Sequence, residues 1–230
     1  MLVASLAIAV TLVAALMTYL LTQVTVSRIN YPRIKVSTSI FRDLTKELCR
    51  LSWEALKQAS LTNSISTAES VIGNFSKLIN AYSLGTIYIS VNTSGKLLWG
   101  VNPAYSLIVI TANLSNGYLE LRNITTYSEL YVSSTSVVTP TKYVIDLTVK
   151  VCKCDQCYYT PITVYNTNLT NLLSKGYSVT YTYLGNGVTE FTITGTGPTP
   201  PGPGPPLPAP PLSIEAVKVT YDGVKVIVST

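Results

Sequence analysis

Residues 1–27 contain no Asp, Glu, Lys or Arg, and Leu, Val, Ala, Ile and Met make up most of them; the first charge is Arg28. A run this long and apolar predicts a helix that is hydrophobic on every face, and such a helix has to be buried. It is long enough to span a bilayer, which takes about 20 residues at a rise of 1.5 Å each. It equally suits the packed centre of a helical filament. Its first residues are already hydrophobic, whereas a secretory signal peptide places a basic stretch ahead of a shorter apolar core. An apolar start without basic residues is what a leader cut off in front of the hydrophobic stretch would leave. Pro32 disfavours helix at Tyr31 and marks a kink or break.

The remainder of the chain narrows the functional classes. Charged residues make up only 12% of the sequence, about half the usual share of about 25%, and Thr, Ser, Asn and 16 Tyr take their place. A neutral polar surface of this kind is typical of glycosylated extracellular proteins. The net charge of +5 is spread out with no Lys/Arg cluster, so no nucleic-acid partner is predicted. Arg28, Arg33 and Lys35 read as a solvated boundary behind the apolar run. The chain has no His, which removes the commonest general base and every Ser–His or Cys–His nucleophile system. Acidic residues are sparse and form no evident pair, and no Gly-rich phosphate loop occurs. The chain is therefore not expected to be an enzyme, and no catalytic residue, cofactor or metal site is predicted.

The hydrophobic period divides the chain into segments. Phe41, Leu44, Leu48, Leu51 and Ala55 repeat every three or four residues between charges, which predicts an amphipathic helix over 37–60. Ile65, Ala68, Ile72, Phe75, Ile79 and Tyr82 predict a second, ending near Gly85. From Thr86 the pattern becomes β, with strands over 86–91, 96–99, 107–112, 118–122, 131–138, 143–152, 158–165, 177–184 and 188–194. Asn116-Gly117 and Gly185-Asn186-Gly187 supply hairpin turns. Residues 197–211, GPTPPGPGPPLPAPP, form no core and read as an extended spacer. Residues 213–230 then form a hairpin around Asp222-Gly223, with Val217, Val219 and Tyr221 facing Val228, Val226 and Val224 on one side. A lone hairpin is marginal in water, so this face is covered either by its own β domain or by a neighbouring subunit as a donated hairpin. The expected class is α+β: a long hydrophobic N-terminal helix, one or two amphipathic helices, an antiparallel β-sandwich or barrel head, a Pro-rich linker and a C-terminal β-hairpin. The corresponding divisions are 1–60, 61–85, 86–196, 197–211 and 212–230.

Cys49, Cys152, Cys154 and Cys157 could hold zinc or an iron–sulfur cluster, but zinc sites normally use two spaced pairs. In an extracellular chain an even count favours two disulfides. Cys152 with Cys157 across the intervening turn, and Cys154 with Cys49, is the favoured pairing of the three possible. Asn74, Asn92, Asn113, Asn123 and Asn168 each begin an N-x-S/T sequon, the acceptor pattern for glycans.

An uncharged apolar N-terminal helix, a following amphipathic helix and a Thr/Tyr-rich β domain together resemble a type IV pilin, most closely the archaeal type IV pilins and the related archaellins. Bacterial pilins usually carry Glu as the fifth mature residue, where this chain has Ser5. The resemblance implies a short basic leader removed by a dedicated peptidase and a membrane-inserted precursor. It also implies an extracellular homo-oligomeric filament at the cell surface with β domains outside. Its core would hold Leu2, Val3, Leu6, Ile8, Val10, Leu12, Val13, Leu16, Met17, Leu20, Leu21 and Val24. The expected function is that of a structural filament subunit serving adhesion. The alternative is a single-pass membrane-anchored surface glycoprotein with a β-rich binding ectodomain.

Overall fold

The computed structural model describes residues 41–82, 88–116, 119–139, 142–163, 167, 169–173, 177–194 and 214–230. The apolar run 1–27 with its expected core positions Leu2 to Val24, the Pro32 break, Gly117, Asn168 and the Pro-rich stretch 197–211 lie outside these residues. The chain divides into two compact units, Met1–Glu47 and Leu48–Thr230. In the first, residues 41–47 are helical, Phe41 and Leu44 are buried, and Thr45 Oγ1 donates to the Phe41 carbonyl at 2.7 Å.

Helix α1 is described over 41–62, and its continuation opens the second unit. Leu48, Ser52, Ala55, Leu56 and Ala59 are fully buried there, while Leu51 is only half-buried. The buried stripe therefore passes through a serine, and Ser52 is accommodated because its hydroxyl lies 2.6 Å from that of Ser128. A buried hydroxyl costs little when it is paired. Helix α2 spans Ile65–Tyr82 and buries Ala68 and Ile72.

Nine strands follow: β1 Tyr88–Leu98, β2 Ala104–Asn116, β3 Leu119–Val138, β4 Lys142–Lys153, β5 Gln156–Tyr159, β6 Ser178–Gly185, β7 Val188–Thr194, β8 Ala216–Tyr221 and β9 Val224–Ser229. A one-turn helix α3, Thr170–Leu173, precedes β6. Strands β1 to β7 form one antiparallel sheet in the order β1-β2-β3-β4-β7-β6, with β5 pairing the end of β4. Along β2 every second residue, Ala104 through Leu114, is fully buried, and β4 alternates in the same way. Such alternation belongs to an antiparallel sheet covered on one face.

Within the second unit, the part of α1 from Leu48 onward, helix α2 and the β8–β9 hairpin lie against that face. Ser52 meets Ser128 on β3. Ser76 and Asn80 of α2 bond to Ile89 on β1. Ser106 Oγ of β2 donates to the Lys225 carbonyl at 2.9 Å, and Ser134 Oγ of β3 donates to that of Ser229. Lys225 N in turn donates to Ser60 Oγ at 3.1 Å.

Two expectations are corrected by this arrangement. Strand accounts for 57% of the described residues, so these are mostly β rather than the α+β expected, and no long apolar helix occurs among them. The head is one open seven-stranded sheet, not a sandwich or barrel. Two helices and a hairpin supply the covering layer, so neither a second large sheet nor closure is needed to bury the inner face. The terminal hairpin is also covered within the chain. Val217, Val219, Val224, Val226 and Val228 are fully buried and Tyr221 is half-buried. Single bridges, Val101 with Val228 and Thr167 with Val219, engage both of its edges. Donation of this hairpin to a neighbouring subunit is thus not needed to cover its apolar face.

Candidate functional site

Among the described residues a constellation of polar and aromatic groups forms where α1, the β4–β5 turn and the β8–β9 turn meet. Strands β4 and β5 are joined by Cys154-Asp155, both at positive φ, 57° and 64°. A two-residue turn of this hand is normally filled by Asn-Gly or Asp-Gly. Here it is fastened from three sides. Cys152 and Cys157, directly opposite in the register, are bridged. Cys154 is bridged to Cys49 on α1, 105 residues away, with the Cα atoms 5.1 Å apart. Asp155 Oδ1 accepts from the Tyr127 backbone N–H at 3.1 Å, and the Tyr127 hydroxyl lies 3.2 Å from Cys157 Sγ.

Lys153 precedes this turn, and its ammonium donates to Asp222 Oδ2 at 2.7 Å while sitting 4.2 Å from the Trp53 ring centroid. Trp53 Nε1 donates to the same carboxylate oxygen at 2.9 Å, and the ring meets Tyr221 edge-on at 6.3 Å. The hydrogen bond from Lys153 is the main reason that the Asp222 carboxyl is held below its ordinary value, against the opposing effect of burial. Burial first, then a hydrogen bond with Tyr221, pushes the Tyr158 hydroxyl up to about 12. Asp222 itself occupies positive φ ahead of Gly223, the turn geometry that the Asp-Gly pair predicts. In this cluster all four cysteines are bridged and the Lys153 ammonium is paired with Asp222. The cluster fastens a helix, the sheet and the C-terminal hairpin to one another.

A second feature escaped the sequence reading. Asp146 on β4 and Glu190 on β7 stand directly opposite each other. Burial, and then the Glu190 charge, raises the Asp146 carboxyl, and its Oδ1 is buried without a hydrogen-bond partner. The two acids are far apart in sequence and only the β4–β7 register joins them. The available signal was that each is the single acid in an otherwise Thr- and aliphatic-rich strand. Among the described residues no group of three or more His, Cys, Asp or Glu side chains is placed to share a metal ion, and no helix is long and apolar enough to cross a membrane.

The sequons separate by environment. Asn74 on α2, Asn92 on β1 and Asn123 on β3 are exposed, whereas Asn113 on β2 is half-buried. Asn113 lies opposite Asn123 on one side and Ser90 on the other, and Asn92 lies opposite Thr111. Comparison with known proteins finds no matching family model, no matching curated protein and no matching solved structure.

Proposed function

We propose that this chain is the structural subunit of an extracellular helical filament of the type IV pilus kind, archaeal in character and serving adhesion. The observation that carries the reading is the uncharged apolar run 1–27 attached to a charge-poor β head fastened by two disulfides. Burying a Leu- or Val-sized side chain is worth about 1.5–3 kcal/mol. Segment 1–27 therefore gains tens of kcal/mol on leaving water, in lipid before assembly and against copies of itself afterwards. Identical surfaces that meet head to tail without closing build an open helical polymer. The disulfides favour an oxidising compartment. With the hairpin covered in cis, assembly is assigned to segment 1–27 and not to strand donation.

A charge in the middle of that segment tests the proposal. Val13→Lys places an ammonium where neighbouring copies would pack. Polymer sheared from the cell surface is expected to disappear, while the head keeps both disulfides. Filaments of normal number and length from the variant would remove the assembly role of the segment. A wild-type chain found only in the membrane fraction, without polymer, would favour the single-pass surface glycoprotein.

A further inference from the structure

The outer face of the sheet, opposite the helices, carries three of the five sequons at one end. Ser90, Asn92, Ser94, Thr111, Asn113, Asn123 and Thr125 share this face by register, and none is charged. We propose that it is a glycan-bearing surface on which Asn92 and Asn123 are modified and Asn113 stays bare, and that the glycan on Asn92 guards the free edge of β1. The inference rests on the reading of the chain as an extracellular protein.

Accessibility separates the three acceptors. Asn92 is exposed and lies on an edge strand, so a transferase can approach it from the unpaired side. Asn123 is exposed on β3. Asn113 is half-buried on a strand paired on both sides, and Asn123 stands directly across from it. Opposed residues in antiparallel strands have Cβ atoms about 5 Å apart, so a sugar on Asn123 covers Asn113. The transfer joins Asn92 Nδ2 to the anomeric carbon of a glycan carried on a polyprenyl phosphate or diphosphate. The bond from that carbon to the phosphate oxygen breaks, its electron pair leaves with the lipid phosphate, and the amide releases one proton to a base of the transferase.

The edge supplies the physical use. Strand β1 ends the sheet, and an unpaired strand edge recruits other strands unless it is blocked. At its start the edge is already satisfied, since Ile89 N donates to Asn80 Oδ1 at 2.9 Å and the Ile89 carbonyl accepts from Asn80 Nδ2 at 3.0 Å. The side-chain amide of Asn80 thus stands in for a neighbouring strand. Val91 and Thr93, two and four residues on, present their backbone groups in the same direction, and among the described residues nothing pairs with them there. Asn92 sits between them.

Trypsin places Asn74, Asn92, Asn113, Asn123 and Asn168 in five separate peptides, 58–77, 78–96, 97–122, 123–142 and 154–175. Mass spectrometry of the full chain recovered from its native cells is expected to show added glycan mass on 78–96 and 123–142 and none on 97–122. An unmodified 78–96 peptide, or a modified 97–122 peptide, overturns the assignment. Ser94→Ala destroys the sequon and leaves Asn92 in place, whereas Ser94→Thr keeps the sequon. The Ala chain, released in detergent, is expected to lose the mass on 78–96 and to sediment as larger species than the Thr chain. Identical sedimentation of the two overturns the guarding role. Glycopeptides without filaments would refute the filament reading alone, and filaments without glycopeptides would refute this inference alone.

Discussion

Removing the bridge between Cys49 and Cys154 should destabilise the head more than removing the neighbouring one between Cys152 and Cys157. The first closes a loop of 105 residues and the second a loop of 5. A cross-link removes chain entropy from the unfolded state in proportion to the logarithm of the loop it closes, which gives about 4.7 kcal/mol for the long loop and about 2 kcal/mol for the short one. Cys152 is fully buried, so its truncation adds a packing loss of about 1 kcal/mol and leaves the order unchanged. For a unit of this size each kcal/mol moves the melting temperature by about 2–4 °C. The Cys49→Ala/Cys154→Ala chain should therefore melt about 10–20 °C lower than the parent, and the Cys152→Ala/Cys157→Ala chain about 6–12 °C lower. Circular dichroism of the full chain in mild detergent reads both. Equal shifts, or a larger shift for the short loop, would refute the view that the 49–154 bridge acts by tying α1 to the distant β4–β5 turn.

Three further outcomes follow from the packing and the charges. Val226→Ala opens a cavity beneath the hairpin and should lower stability by about 2 kcal/mol, measured by chemical denaturation; no loss would contradict burial of Val226 in cis. A carboxyl held low in the folded state lends stability above the ordinary carboxylate range, and that contribution disappears as pH falls through the lowered value. Asp222→Asn should accordingly reduce stability at pH 7 and flatten its decline below about pH 4, and an unchanged acid limb would count against the Lys153 and Trp53 contacts. Asp146 behaves in the opposite sense, because its raised carboxyl costs stability as pH climbs above the ordinary carboxylate value, and the cost is complete above the raised folded value. Asp146→Asn should gain about 0.5–1 kcal/mol at pH 7 by removing the opposed like charge, with the gain vanishing in acid; a gain that persists at low pH would assign it to another cause.

The elements that sequence reasoning found are those with a strong local signal. The Asn186-Gly187 and Asp222-Gly223 turns, all four residues at positive φ, place β6–β7 and β8–β9 almost where the pattern puts them. The misses come from buried hydroxyls and from a glycine inside a strand. Strand β3 runs unbroken over Leu119–Val138, yet only its two ends read as strand, because Thr126 and Ser128 in its middle face inward and look like loop residues. The burial of Ser128 is supported by the Ser52 hydroxyl on α1, a partner that local sequence does not display. Strand β1 reads as two pieces because Gly95 resembles a turn. A Cβ there would press on Ile108 and come within 3.1 Å of Ile65, so the glycine serves the close approach of α2 to the sheet. The cysteine cluster was visible as a turn with bridging partners. The contacts of Lys153 with Trp53 and Asp222, and of Asp146 with Glu190, were not, since each depends on long-range register.

Assembly through segment 1–27 is the central proposal, and electron microscopy of material sheared from intact cells tests it most directly, with the subunit identified by its peptides. Thin helical filaments built from this chain are the expected result. Recovery of the chain solely as dispersed membrane protein, with no polymer in the sheared fraction, would contradict it.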